Sequence, residues 1–248
     1  MKNSDTITVY WAPAPYILQE ESWAMVYSEP VHLFSEHRKY KNPNGNPNNM
    51  FACPATKDTF TNTYVVNHQF DNIIDLPGNI NPKFDHYWLE TNSAVGVLVP
   101  RSSALTGYHN LMYNMGWLLF ADEPLVARFT APFFPPHAPA EGAMLSTGEF
   151  DIGSWYRAFN LDYHIPVSAK TLKFMKDDPL FYIEFKTDKK IILKRYNVSP
   201  SLNNLAMESV NAPGRYGRFQ SLKERYGIAK KAMIPEMVLS EIKKNLVE

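Results

Sequence analysis

The chain has 248 residues, 25 basic and 25 acidic, of which 45% are hydrophobic and 14% aromatic. That apolar content fills a sizeable core and excludes disorder as a description of the whole chain. The zero formal net charge removes the general electrostatic drive toward nucleic acid or an anionic membrane, and the one cysteine, Cys53, excludes an intramolecular disulfide.

Short runs rich in Val, Ile, Phe, Tyr and Trp are punctuated by 19 prolines against 11 glycines, the pattern of strands separated by turns. In chain order the expected strands cover residues 6–11, 24–27, 61–66, 87–91, 95–99, 116–120, 125–130, 155–163, 171–174, 180–185 and 191–196. Strand alternation places Phe181, Ile183 and Phe185 on one face and Tyr182 and Glu184 on the other. The last two strands are separated by the polar stretch KTDKK, which predicts a hairpin. The connections are too short for crossover helices, so the strands are expected to be antiparallel rather than parallel βαβ units.

Two loops interrupt the series. KNPNGNPNN, residues 41–49, reads as a polar surface loop. APFFPPHAPAEG, residues 131–142, is too proline-rich for regular structure and is expected to wrap an edge with Phe133 and Phe134 turned inward. A short helical stretch, VHLFSEHRKY, carries His32 and His37 five residues apart, off a shared face and read as solvated. Beyond Pro200, RFQSLKERYG and AKKAMIPEMVLSEIKKNLV read as a helical hairpin. Met237, Val238, Leu239, Ile242 and Leu246 trace its apolar face, and Pro235 sits at a helix start or kink. The expected architecture is mainly β: an antiparallel two-sheet sandwich or jelly roll over residues 1–200, with a helical tail, 201–248, packed on it.

The start of the chain lacks the apolar stretch of a signal peptide, and no run approaches the roughly 18 apolar residues of a membrane helix. The expectation is a soluble protein folding in a reducing compartment. Glycine-rich phosphate loops, a GxSxG elbow and HExxH are absent from the sequence. The metal candidate is the stretch DHYWLETNSAVG: on a strand, His86 and Glu90 share a face, and His109 in GYHNLMYN can supply a third ligand. The plainer account makes these histidines packing or surface residues. In GEFDIGSWYRAFNLDYHIP, Arg157 lies among Glu149, Asp151, Asp162 and four aromatic residues, so its planar fork can clamp a carboxylate or phosphate. The competing account has the Asp residue capping a turn, Gly153 serving turn geometry and Arg157 paired across to a neighbour. Cys53, beside Pro54, reads as a small buried hydrophobe.

WAPAP near Trp11, FACPATKDTFTNTYVV, EFDIGSWYR and KFMKDDPLFYIEFKTD resemble segments of an uncharacterised family of phage, marine-virus and bacterial hypothetical proteins, across most of residues 8–196. The resemblance implies a viral or phage origin and a β-rich fold, hence a place in the host cytoplasm or the virion. It brings no activity, cofactor or catalytic residue. Two readings follow: a binding, virion or assembly component with protein partners or copies of itself, ranked first, and a metal-dependent enzyme on a cupin-like barrel built on His86, Glu90 and His109.

Overall fold

Strand alternation, not loop length, decides how this chain is put together. The structure, a computed structural model, describes residues 5–13, 29–37, 54, 60–69, 71–76, 87–88, 97–101, 105–133, 136–215 and 221–247. In chain order the first elements are β1 (Thr6–Pro13), β2 (Val31–His32), α1 (Leu33–His37), β3 (Thr63–Asn67), β4 (Asn72–Asp75), β5 (Tyr87–Trp88) and β6 (Val97–Arg101). Then come β7 (Tyr108–Ala121), β8 (Val126–Thr130), β9 (Met144–Leu145), β10 (Gly148–Asp151) and β11 (Ala158–Pro166). The series ends with β12 (Thr171–Phe174), β13 (Pro179–Phe185), β14 (Lys190–Arg195) and three helices, α2 (Pro200–Arg215), α3 (Leu222–Ala232) and α4 (Pro235–Lys244).

The fold is mainly β, as expected. One sheet runs β14-β1-β7-β11-β9, with β6 also paired to β7 and β5 to β6; a second runs β10-β8-β13-β3-β2, and β12 pairs with β4. The 14-residue β7 is the spine of the first sheet. Its C-terminal part pairs with β1, its N-terminal part with β6, and its other edge with β11. Between Phe159 and Leu161 the β7–β11 register shifts, two steps on β11 facing four on β7. An even shift leaves every side chain on its proper face.

That parity builds the core. Val9 and Trp11 of β1, Tyr113, Trp117 and Leu119 of β7 and Leu161 of β11 meet Val66, Phe129, Phe181 and Ile183 of the second sheet in one buried cluster, with Leu172 and Phe174 of β12 closing one side. Trp11 and Trp117 stack with centroids 5.2 Å apart, and Trp117 meets Phe181 of the opposite sheet edge-on at 6.5 Å. The opposite face of the first sheet offers Tyr10, Ala12, Leu118, Phe120 and Ala158 to the helices. The opposite face of the second sheet packs Val65 and Tyr182 against Leu33 and Phe60. Burial on both faces is why the strands read as nearly continuous apolar runs.

The expected hairpin between the last two long strands does not form. β13 already has β3 on one edge and β8 on the other, so it has no free edge to offer. The chain crosses instead to the first sheet, where β14 pairs with β1, Thr6 opposite Lys190 to Trp11 opposite Arg195. This pairing is parallel, an exception to the expected antiparallel order. Four extended residues reach about 13 Å, enough for the roughly 10 Å between packed sheets. Lys189 fixes the crossing on Glu123 (2.6 Å), while Asn62 donates to the carbonyls of Thr187 (2.5 Å) and Lys189 (3.1 Å). The outer edge of β14 carries exposed Lys190 and Lys194, charges that discourage pairing with another chain.

Among the described residues the tail forms three helices rather than a hairpin. Ser221 and Glu224 form a reciprocal capping box at the start of α3, and Pro235 occupies the first turn of α4, where its missing N–H costs nothing. Leu202, Ala206, Met233, Val238 and Ile242 bury against the sheet. Met237 was expected on that apolar face but is 64% exposed, because the buried stripe follows Val238 and Ile242 at four-residue spacing. The tail ends as β structure: Leu246 bridges Tyr196, and the N–H of Val247 donates to the Arg195 carbonyl at 3.0 Å. Beneath it the Tyr196 hydroxyl donates to Tyr156 at 3.0 Å, and burial, with Tyr156 alongside, pushes the Tyr196 phenol pKa well above its ordinary value.

His32 is not simply solvated. Its ring nitrogens engage the Thr61 carbonyl (2.9 Å) and the Phe34 N–H (3.3 Å), and the ring packs on Tyr64. Phe133, expected to turn inward, is instead 43% exposed, though its ring touches Phe60 and Tyr182. The strand expected at 24–27, the loop 41–49, Cys53 and Phe134 lie outside the described residues.

Candidate functional site

His86 and Glu90 also lie outside the described residues. His109 is on β7 opposite Ile165, and strand alternation gives it the parity of Leu111 and Tyr113, which line the sandwich core. Among the described residues no group of three His, Cys, Asp or Glu is placed to hold a metal ion.

The Gly148–Pro166 block divides into three pieces with different surroundings. Glu149 sits 3.7 Å from Arg128 on the neighbouring strand, both side chains about half exposed. Asp151 caps the turn that follows β10: the Gly153 N–H (3.2 Å), the Ser154 hydroxyl and the Lys230 ammonium (3.0 Å) all donate to its carboxylate. Gly153 is required there by the close approach of the Glu123–Pro124 backbone rather than by turn geometry, since its φ is not in the left-handed region. Burial alone would raise the Asp151 pKa, but Ser154, Lys230 and Gly153 outweigh it and hold the carboxyl below its usual value. A lowered folded-state pKa supplies stability above the unfolded value, and that stability is lost as pH falls through the folded one. Asp151 and Lys230 are each about a third or more exposed, so the effect is modest. The expected outcome is a loss of tail protection below about pH 4, read by limited proteolysis with an acid-tolerant protease. Asp151→Asn shows weaker protection at neutral pH and less further loss on acidification.

Arg157 follows the Asp151 turn, just before β11. Its guanidinium lies over the Trp155 ring at 4.9 Å and within 5.9 Å of the Phe150 ring, and its Nε donates to the Ala158 carbonyl at 3.3 Å. A guanidinium seated beside an aromatic wall is attracted by the ring faces.

The third piece holds Asp162 away from Arg157's aromatic wall, beside His164, which the sequence reading does not name. Past the register shift, β11 turns Asn160, Asp162 and His164 to the face opposite the core, with Met112 opposite Asp162 and Asn110 opposite His164 on β7. Met144 pairs with His164 from the other side. Just after β9, the Ser146 hydroxyl lies 3.0 Å from His164 Nε2, and its N–H donates to the Asp162 carbonyl at 2.8 Å. His164 Nδ1 and Asn110 Oδ1 are sealed from solvent and make no hydrogen bond among the described residues. Ending the strand at Tyr163 hid this group; the spacing of Asp162 and His164, two apart on a strand that runs to Pro166, is the signal that reveals it.

A scan of protein-family models finds no match to this chain, and no curated protein aligns with it significantly. Among the described residues no helix is long and apolar enough to cross a membrane.

Proposed function

We propose that this protein is a binding and assembly component of viral or phage origin, in which the sandwich is the scaffold and the helical tail presents the contact surface. The origin rests on the sequence segments that resemble phage and marine-virus proteins. The contact surface rests on one observation. The helix that buries Val238 and Ile242 leaves Ile234 and Met237, one turn apart at its start, 52% and 64% exposed. Apolar side chains paired this way at the start of a helix whose other face is buried favour a contact surface, although a single exposed one would not.

The test is sedimentation velocity over a concentration series. The expected result is concentration-dependent self-association that the double substitution Ile234→Ser, Met237→Glu removes while the circular dichroism spectrum is unchanged. A wild-type chain that stays monomeric throughout, and that is also absent from purified particles by mass spectrometry, would overturn the assembly reading.

A further inference from the structure

β14 closes one side of the first sheet, and among the described residues β1 is its one strand partner. The Lys190 N–H donates to the Asp5 carbonyl at 3.0 Å and the Tyr196 N–H to the Trp11 carbonyl at 3.2 Å. In a parallel ladder with these bonds, Lys190, Ile192, Lys194 and Tyr196 turn their backbone groups toward β1, while Ile191, Leu193 and Arg195 turn theirs to the open side. The C-terminal end of that side is already in use. The Val247 N–H donates to the Arg195 carbonyl at 3.0 Å, the Asn197 N–H donates to the Asn245 carbonyl at 2.9 Å, and Leu246 bridges Tyr196 antiparallel. The edge thus accepts an antiparallel strand, and the N–H and C=O groups of Ile191 and Leu193 continue it with no strand partner among the described residues. Ile191 and Leu193 point their side chains to the inter-sheet core. Lys190, Ile192 and Lys194 are exposed on the other face, Ile192 by 37%. Lys186 and Lys189 nearby are paired with Glu184 and Glu123, whereas Lys190 and Lys194 have no ion-pair partner among the described residues.

We propose that this open edge binds an extended segment of a partner protein in which apolar and acidic residues alternate, added antiparallel as a further strand in line with the end of the tail. Main-chain bonds to Ile191 and Leu193 supply the attachment, and side chains choose the partner. A partner residue opposite Ile191 or Leu193 faces the rim of the core, which calls for an apolar side chain. A carboxylate opposite Lys190 meets that ammonium directly. One opposite Ile192 lies diagonal to both Lys190 and Lys194, within reach of their long side chains. The matching segment is therefore apolar, acidic, apolar, acidic, read against Leu193, Ile192, Ile191 and Lys190. The same lysines turn away neutral and basic strands, and a second copy of β14 is disfavoured because it brings lysine against lysine. This edge lies on a different element from Ile234 and Met237, so it does not depend on the assembly reading.

The experiment titrates the full-length protein into a fluorescein-labelled peptide, Gly-Ser-Val-Glu-Val-Glu-Gly-Ser, and follows fluorescence anisotropy. The expected result is saturable binding that falls at least about tenfold when both peptide glutamates are replaced by lysine. Lys190→Glu combined with Lys194→Glu weakens binding of the acidic peptide by a similar factor and reverses the preference, so that the lysine peptide binds better. Methylating the backbone nitrogens of the two valines, which pair with Leu193 and Ile191, abolishes binding without changing any charge. Circular dichroism checks the fold of the double variant; if it does not fold, the lysine peptide against the parent protein is read in its place. No saturable binding at the highest soluble protein concentration, undiminished binding to the folded double variant, or a methylated peptide that binds as well as its parent would each overturn the proposal.

Discussion

Trp117→Ala lowers the unfolding free energy by about 3–5 kcal/mol, the range for deleting a large aromatic side chain from a core that cannot collapse around the gap. Trp117 is 2% exposed, stacks on Trp11 of the adjacent strand and meets Phe181 of the opposite sheet edge-on. Removing it therefore breaks the join between strands and the join between sheets together. Relaxation is resisted because the cavity walls belong to three strands already fixed by their ladders. The check is guanidinium unfolding followed by tryptophan fluorescence and far-ultraviolet circular dichroism, with Ile192→Ala as the comparison. Ile192 is 37% exposed at the edge of the same sheet, so its truncation costs less than about 1 kcal/mol. Equal losses at the two positions would mean that the inter-sheet aromatic contact does not carry the stability assigned to it.

Gly153→Ala is the second large effect, and it comes from adding one carbon rather than removing many. A Cβ at this position would lie 2.2 Å from the Glu123 carbonyl oxygen and 2.6 Å from the Pro124 Cα. Both are backbone atoms, so no side chain can swing aside. The chain on either side is tied down: the Ile152 N–H donates to the Leu125 carbonyl at 2.8 Å, and the Ala121 N–H donates to Ile152 at 3.0 Å. Forced separation costs about 3 kcal/mol and also pulls Asp151 from Lys230, loosening the tail. The measurements are the unfolding midpoint and the rate at which protease removes the tail. Gly227 provides the opposite case: it lies inside α3 with nothing within 4 Å of an added Cβ. Gly227→Ala stabilises by up to about 1 kcal/mol through helix propensity alone. A Gly153→Ala protein as stable as the parent would show that the close approach is not required.

The strands were legible in the sequence wherever β-branched and aromatic residues alternated, and the facing of Phe181, Ile183 and Phe185 against Tyr182 follows from that alternation alone. Strand partners were not legible. The spacing between β13 and β14 is equally good for a hairpin and for a crossing between sheets, and only the prior occupation of both β13 edges by β3 and β8 decides it. The same gap limits the site. His109 and Asn110 are adjacent in sequence, and which of them shares a face with His164 depends on the β7–β11 register. Asp151 was legible as a turn cap because the chemistry is local. The Lys230 contact, 79 residues away, was not.

Placing β14 beside β1 has a consequence for how the chain must be made. β1 has one edge served by β7, but its other edge waits for residues beyond 189. The chain from β1 through Lys190 must be synthesised before that edge is covered, and the helices that shield the outer face emerge later still. Until then a strand of alternating apolar residues stands open, the kind of intermediate that a holding chaperone binds or that pairs with another nascent copy. β1 cannot settle early and wait; its final commitment comes only once β14 has emerged.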